Sequence, residues 1–399
     1  MKPMIRGGIC LNSHTEGCAA VVRRQIVYVK KNRNNREKPA NAPKLALVLG
    51  CSTGYGLASR IALSFGYGTA TVGVSLEKPA TQNKSGTPGF YNNLAFDYEA
   101  AKVGLISKTL NGDAFSDESK AQTVDAVREI GKRIGKDGSP SKIDIVVYSL
   151  ASPVRVDPKT GVMYKSVIKP IGAAFSGTTI DMTTGRLFTA RAEPATEEEI
   201  SDTVKVMGGE DWELWIDALQ KADLLAANAK TIAYTYIGPE LSWAIYKNGT
   251  IGRAKEDLER VCKAINAKFA GTERRAYISV NKALVTRASA VIPIIPFYVS
   301  CLFKVMKEKG LHEGCIEQAA RLFDERLYAA DVPFDEAGRI RIDDYETRYD
   351  VQKATADLMQ SVTQENVLTA TDIAGFRHDF LEVHGFDVQG VDYEENDGQ

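Results

Sequence analysis

The sequence is poor in the residues that build metal centres and disulfide frameworks. It has four histidines, His14, His312, His378 and His384, and none stands in a His-Glu-x-x-His pattern. The stretch 312-HEGC-315 supplies at most half of a zinc site and no second pair completes it, so no metal is expected. Six cysteines, at positions 10, 18, 51, 262, 301 and 315, include no Cys-x-x-Cys and no spacing that reads as a disulfide framework. With no secretory signal pattern ahead of them, they point to a reducing, cytoplasmic setting. Charge of one sign is not in excess. The net value is −1, so no global field draws the chain to nucleic acid or to a membrane. The local exception, 23-RRQIVYVKKNRNNREK-38, reads as a solvated helix face and linker, or else as a landing patch for an anionic partner. The longest uncharged run, 288-ASAVIPIIPFYVSCLF-303, is too short for a comfortable membrane span and holds Pro293 and Pro296. It suits a buried helix or the wall of an apolar pocket.

What is present is the composition of a soluble globular protein, with 44% apolar and 25% charged residues. At 399 residues the chain can bury a large core. Short aliphatic runs at 45-LALVL-49, 69-TATVGVS-75, 105-LISKTL-110 and 143-IDIVVYS-149 alternate with helical patterns. The clearest of these is 116–136, with Ala121, Val124, Val127, Ile130 and Ile134 at helical spacing. Such alternation predicts an α/β fold, a doubly wound and mostly parallel sheet with helices on both faces. Segments 229–237 and 276–285 would continue the sheet. Residues 152–194 break the rhythm with turn signals at 157-DPKTG-161 and 183-TTGR-186, and predict inserted β-hairpins. Helices are expected at 196–206, 210–225 and 311–331, with a small strand around 339-RIRID-343. The acidic tail 391–399 is expected to fray. The chain divides into an N-terminal extension (1–43), a dinucleotide-binding half (44–151), an insertion bordering the substrate (152–228), a catalytic half (229–310) and a C-terminal helical extension (311–399), all on one Rossmann-type body.

The stretch 49-LGCSTGYGLASR-60 joins the first strand to a helix and admits two readings. As Gly-x-x-x-Gly-x-Gly it cradles a pyrophosphate on free helix N–H groups. As Gly50-x-Ser52-x-Gly54 it resembles the nucleophile elbow of a serine hydrolase, with His378 and Asp379 far downstream. The elbow normally follows several strands, and only one clear strand precedes this turn. A dinucleotide site also needs a carboxylate at the end of the second strand, about 20 residues on, for the ribose hydroxyls. Glu77 stands there, which selects the dinucleotide reading, and Ser52 becomes a hydroxyl that caps the helix or touches a phosphate. A carboxylate accepts hydrogen bonds from a ribose diol and repels a 2′-phosphate, so Glu77 favours NADH over NADPH, although the adjacent Lys78 would tolerate a phosphate. Asp113, after the third strand, is placed to touch the adenine edge.

Nicotinamide enzymes of the short-chain type pair a tyrosine acid with a lysine, usually as Tyr-x-x-x-Lys. Two such pairs occur, Tyr98/Lys102 and Tyr349/Lys353. The first lies on the adenosine half of the sheet and the second beyond the sheet, so both read as exposed helix residues. The right position follows the fifth strand, where Tyr246 and Lys255 are nine residues apart. On one straight helix, nine steps of about 100° put them on opposite faces. The pair therefore requires a break between them, and 248-NG-249 followed by Gly252 supplies it. The aromatic 212-WELW-215 reads as core.

These blocks together resemble the bacterial NADH-dependent trans-2-enoyl-CoA reductase and enoyl-acyl-carrier-protein reductase family (FabV/Ter type), an enlarged relative of short-chain dehydrogenases. The resemblance rests on 2-KPMIRGGICLN-12, 50-GCSTGYG-56, 148-YSLASPVR-155, 205-KVMGGEDWE-213, the Tyr-x8-Lys pair and 282-KALVTRASAVIP-293. It implies that Tyr246 donates a proton, Lys255 binds NADH and Tyr236 contacts substrate. It places the cofactor on Gly50, Cys51, Ser52, Thr53, Gly54 and Tyr55, on Leu76 and Glu77, on Asp113 and Ala114, on Leu150 and Ala151, and on Leu284, Val285 and Thr286. The reaction it implies is reduction of the C2=C3 bond of an enoyl-CoA or enoyl-acyl-carrier-protein, in fatty acid synthesis. A hydroxyl aimed at the thioester oxygen would stabilise the developing enolate, and the Lys255 ammonium would lower the phenol's pKa. Residues 23–38 would then offer a dock for an acidic carrier protein or CoA phosphates, and 288–303 would line an acyl tunnel or pack as plain core. The extra segments imply a monomer, because they occupy surfaces that smaller relatives use for assembly. The rival readings are a ketoreductase or alcohol dehydrogenase acting on C=O, the serine hydrolase built on Ser52, and a non-catalytic NAD-binding sensor.

Overall fold

Leu45, Leu47 and Leu49 point to one side of the first long strand and Ala46 and Val48 to the other, and all five are fully buried. A strand apolar on both sides must lie inside a sheet covered on both faces. The computed structural model describes residues 1–6, 9–33, 38–287, 295–329 and 331–394. Its elements in order are β1 (Ile5–Arg6), β2 (Ile9–Cys10), α1 (Thr15–Arg33), β3 (Leu45–Leu49), α2 (Gly54–Ile61), β4 (Ala70–Ser75), α3 (Pro88–Lys102), β5 (Ser107–Asn111), α4 (Asp117–Ile134) and β6 (Ile143–Tyr148). The inserted hairpins β7 (Val154–Val156)/β8 (Met163–Lys165) and β9 (Phe175–Ile180)/β10 (Leu187–Ala192) come next, then α5 (Glu197–Met207) and α6 (Glu210–Lys221). The chain continues with β11 (Leu225–Thr235), α7 (Thr250–Lys268), β12 (Arg275–Val280), α8 (Ile295–Glu308), α9 (Cys315–Arg321), β13 (Ile340–Arg341), α10 (Tyr349–Ser361), α11 (Val367–Ala370) and α12 (Ile373–Glu382).

Seven strands form one sheet in the order β5-β4-β3-β6-β11-β12-β13, with every neighbour parallel. The two faces hold separate cores. Leu45, Leu47, Leu49, Val72 and Val146 pack with Val127 and Ile130 of α4, Trp212 and Trp215 of α6, and Val261 and Ile265 of α7. On the other face Ala46, Val48, Ile145 and Ile232 meet Val22 and Ile26 of α1, Ile61 of α2, Phe96 of α3 and Ile316 of α9. Trp212 and Trp215 are thus core, as expected. Each such side chain contributes roughly 1.5–3 kcal/mol by leaving water, so the strand ends above are held rigidly.

The hairpins lie where the turn signals put them. Asp157 Oδ1 accepts from the N–H groups of Lys159 and Thr160, and Asp181 Oδ1 from those of Thr183 and Thr184, each turn closing on a left-handed glycine. Both are Asp-x-x-Thr-Gly, so the same local chemistry bends the chain twice. The helix expected over 210–225 ends at Lys221, and the expected element limits shift in three other places. β11 begins at Leu225, four residues early, through an irregular register between Leu225 and Lys230. β12 stops at Val280 rather than 285: Asn281 still donates to the Thr235 carbonyl of β11, but the next two N–H groups are claimed from outside the sheet, Lys282 by Gln318 Oε1 and Ala283 by Glu346 Oε2. The helix expected over 311–331 is α9 followed by a wider π turn, Leu322–Leu327. Residues 288–294 of the uncharged run and the last five of the acidic tail lie outside the described residues.

Candidate active site

Strand order reverses between β3 and β6, and in open α/β sheets ligands bind outside the strand ends at such a point. The glycine turn sits there. Gly50 has φ +83°, and a Cβ on it would lie 2.2 Å from the Ser149 carbonyl oxygen just past β6. A Cβ on Gly56 would lie 1.9 Å from the Gly50 oxygen. The turn is thereby pressed flat against two strands, with Cys51 and Ser52 buried and Leu150 half-buried beside Gly50. Thr53 is the N-cap of α2 but gives no side-chain cap, which leaves the helix start to an outside anion. Asn92 Nδ2 donates to the Ser52 carbonyl at 3.0 Å and holds the turn from α3.

Glu77, two residues past β4, is fixed by Asn111 at the end of β5. Its N–H donates to Asn111 Oδ1 and its carbonyl accepts from Asn111 Nδ2, both at 2.8 Å. The carboxylate is buried. It accepts from Ser52 Oγ at 2.6 Å and lies 3.4 Å from the Arg287 guanidinium. Gly89 makes this possible, since a Cβ there would lie 2.2 Å from Glu77 Oε1. Leu76 next to it is exposed, an apolar surface suited to a purine ring. Asp113 accepts from the Phe115 N–H at 3.0 Å, and the Ala114 carbonyl takes Trp215 Nε1 and Lys120 Nζ, so this loop is set by α4 and α6. Ala151 is exposed at the crevice mouth. From the other side, Thr286 Cγ2 lies 3.6 Å from where a Gly54 Cβ would stand, and Leu284 and Val285 are buried beneath it. Tyr55 joins the two parts, its hydroxyl donating to the Lys282 carbonyl at 2.9 Å.

At the end of β11 stand the groups that could move a proton. The chain leaves the strand at Thr235, makes a short 3-10 turn at Glu240–Ser242 and runs through turns to Gly249, the N-cap of α7. Tyr246 therefore lies before the helix and Lys255 inside it, with the break at Asn248–Gly249. The Tyr246 carbonyl accepts from the N–H groups of Gly249 and Gly252 at 3.1 and 3.0 Å, and locks the turn to the helix. Both side chains return to the same strand end. The Tyr246 ring meets the Tyr236 ring edge-on at 5.0 Å, and Lys255 Nζ donates to the Tyr234 carbonyl at 3.2 Å.

The phenols differ in what holds their protons. Tyr236 donates to Glu346 Oε1 at 2.9 Å. The Tyr246 hydroxyl makes no hydrogen bond to any described residue. Burial raises the Tyr246 pKa above its ordinary value, and burial brings Lys255 down from 10.5 to about 8. The expected lowering of the phenol by the ammonium is thus corrected: desolvation governs Tyr246, while Lys255 is turned to a backbone carbonyl. A phenol that keeps its proton is a hydrogen-bond donor at neutral pH, which is what an oxyanion needs.

The other sequence candidates fall away from this centre. Ser52 meets a carboxylate and no histidine, and His378 is on α12 pairing with Asp387 at 2.9 Å, so the hydrolase arrangement is not assembled. Tyr98 and Tyr349 are exposed, and Lys353 pairs with Asp357. The basic stretch is partly consumed: Arg23 pairs with Glu16, Arg24 with Glu382 and Arg33 with Asp324. Within the uncharged run, α8 is buried from Ile295 to Phe303, and its Tyr298 reaches Glu346 beside Tyr236.

Family models match almost end to end. The trans-2-enoyl-CoA reductase catalytic region matches residues 84–328, and the NAD(P)H binding domain of trans-2-enoyl-CoA reductase matches 1–82. The chain is 57% identical over 397 residues to a Treponema denticola protein named trans-2-enoyl-CoA reductase (NADH), covering 99% of this chain and 97% of that one. The chain belongs to the trans-2-enoyl-CoA reductase family. A Saccharophagus degradans relative, 52% identical with the same coverage, is named enoyl-acyl-carrier-protein reductase (NADH). The crystal structure of the Treponema denticola reductase in complex with NAD superposes with a TM-score of 0.94 at 56% identity, covering 99% of this chain and 97% of that one.

A third model, described as an enoyl reductase FAD binding domain, matches residues 334–396. The described residues of this family member do not fit a flavin there. The segment has one two-residue strand and three helices, with no strand–glycine turn–helix to take a pyrophosphate. Its inner face is filled by Val351, Phe376, Phe380 and Phe386 packed on α8. Gly385 closes on α1, where a Cβ would lie 2.5 Å from Cys18 N. Sequence reasoning missed Asn111, Asn92, Gly89 and Arg287 around Glu77. It also missed Glu346 and Gln318, which come from the C-terminal extension. Their contacts are long-range and leave no local pattern.

Proposed function

We infer that this protein catalyses the NADH-dependent reduction of the C2=C3 double bond of trans-2-enoyl thioesters to saturated acyl thioesters, as a step of fatty acid synthesis. The observation that carries the reading is a phenol, Tyr246, whose hydroxyl has no hydrogen-bond partner among the described residues, at the sheet end that also bears a glycine cradle and the buried Glu77 carboxylate. When bound, NADH supplies the hydride that ends on C3. Charge then develops on the thioester oxygen, and the Tyr246 hydroxyl donates a hydrogen bond to it; a preorganised donor in a dry site costs no reorganisation at that moment. Protonation at C2 completes the saturation, with Tyr246 as the source. Tyr236 packs against Tyr246 and contacts the acyl thioester. Lys255 offers an ammonium to the nicotinamide ribose. Glu77 takes the adenosine ribose diol and disfavours a 2′-phosphate. The glycine turn with Thr53, together with Leu284–Thr286, brackets the pyrophosphate and nicotinamide.

The acyl carrier is CoA or acyl-carrier protein, both of which occur among the names of the relatives. No described helix is long and apolar enough to cross a membrane, and we place the enzyme in the cytoplasm as a monomer. The test is NADH oxidation with crotonyl-CoA, crotonyl-acyl-carrier protein and acetoacetyl-CoA. Turnover of the two enoyl substrates is expected. Reduction of acetoacetyl-CoA without reduction of either would replace this reading by a ketoreductase.

A further inference from the structure

Glu346 lies past β13, far in sequence from the groups described above, and is fully buried. Oε1 accepts from the Tyr236 hydroxyl at 2.9 Å and from the Tyr298 hydroxyl at 2.7 Å. Oε2 accepts from the Ala283 N–H at 2.7 Å. The end of β11, helix α8 and the loop that leads to Leu284–Thr286 thus meet on one carboxylate. The cation beside it is Lys282, 2% exposed, which donates to the Ala283 carbonyl and sits over the Phe303 ring. A carboxylate so far from water is costly to keep, and apolar residues would fill the same space without that cost. Packing alone does not account for an acid here.

A carboxylate only accepts hydrogen bonds, so both phenols must donate to it. Tyr236 therefore has its proton committed to Glu346, while the Tyr246 hydroxyl, edge-on beside it, has no such acceptor among the described residues. We propose that Glu346 is a positioning residue for the reduction: it holds the Tyr236 phenol against the cofactor loop and leaves Tyr246 as the phenol of the pair with a proton to give. The proposal rests on the enoyl reductase reading of Tyr236 and Tyr246.

The test compares wild type, E346Q, Y236F and E346Q/Y236F in crotonyl-CoA reduction, with NADH affinity read separately by fluorescence. Glutamine keeps an oxygen for the Ala283 N–H and turns its amide toward the phenols. NADH affinity is therefore expected to stay within about fivefold of wild type. Loss of the charge-assisted contact is expected to lower kcat about 10- to 100-fold with a KM change below about threefold. In the Y236F background the same substitution is expected to cost less than about threefold, because the phenol through which Glu346 acts is gone. Equal losses in the two backgrounds, or a folded E346Q with wild-type kcat, overturn the proposal. If E346Q does not fold, E346D, which keeps the charge and shortens the reach, is judged by the same criteria. If neither folds, Glu346 is a structural residue and the proposal fails. A wild-type enzyme that binds NADH but leaves crotonyl-CoA unreduced would instead overturn the enoyl reductase reading itself.

Discussion

Tyr246→Phe isolates one hydroxyl. The ring stays edge-on to Tyr236 at 5.0 Å, and the backbone bonds from Gly249 and Gly252 to its carbonyl are untouched. The hydroxyl has no partner among the described residues, so its removal leaves no buried donor or acceptor stranded and stability is expected to change by less than about 0.5 kcal/mol. NADH affinity is expected to be unchanged within about twofold, because the cofactor cradle contains no Tyr246 contact. Catalysis should suffer: loss of one donor to an oxyanion costs about 10²–10³ in kcat, or roughly 2.7–4 kcal/mol. Single-turnover kinetics with crotonyl-CoA separates chemistry from product release, and thermal unfolding with NADH fluorescence checks the fold. Tyr236→Phe is the internal comparison. Its proton already belongs to Glu346, so it is expected to cost less in kcat and more in stability, about 1–3 kcal/mol, by stripping a donor from a buried carboxylate. A Tyr246→Phe enzyme that retains more than about a tenth of wild-type kcat would refute the assignment.

Three further outcomes follow from the geometry. The basic limb of kcat/KM for NADH is expected to fall as pH rises through about 8, where buried Lys255 loses its proton, and the limb should vanish in Lys255→Met. The stability effect has the opposite sense. The folded pKa is depressed from 10.5 to about 8, so the unfolded chain binds more protons between those values and stability rises with pH across that window; below about 8 the full penalty, on the order of 3 kcal/mol, applies and Lys255→Met should relieve it in thermal melts. Glu77→Ala removes the carboxylate proposed to take the ribose diol and leaves Arg287 uncompensated, so NADH binding is expected to weaken about tenfold while NADPH binding improves; an unchanged ratio of the two dissociation constants would argue against Glu77 as the discriminator. Gly252→Ala would place a Cβ 1.7 Å from the Lys247 carbonyl oxygen, and the turn that carries Tyr246 must open; loss of turnover with retained NADH binding is expected, and wild-type kcat in this variant would contradict the locked turn.

Most of the scaffold was legible because its signals are local. The β3 strand, the glycine turn and the helix after it are consecutive in sequence, and Glu77 lies at the distance that one helix and one strand dictate. The break between Tyr246 and Lys255 was legible for a similar reason: Asn248–Gly249 ends one turn, and the periodicity of α7 begins anew at Thr250. The support around these groups was not legible. Asn111 fixes Glu77 across a neighbouring strand, and Gly89 is required only because a carboxylate oxygen presses on it from another element. The early stop of β12 depends on Gln318 and Glu346, which claim its N–H groups from the C-terminal extension. The charge relation between Lys255 and Tyr246 was misjudged because spacing gives proximity in sequence, whereas desolvation depends on everything packed around the pair.

The carboxylate that gathers Tyr236, Tyr298 and Ala283 is made sixty-three residues after the Ala283 amide it binds. During synthesis the glycine turn and Glu77 leave the ribosome well before the acid that ties Tyr236 to the loop carrying Leu284–Thr286. The two sides of the crevice are therefore joined only when the segment bearing Glu346 folds back onto α8.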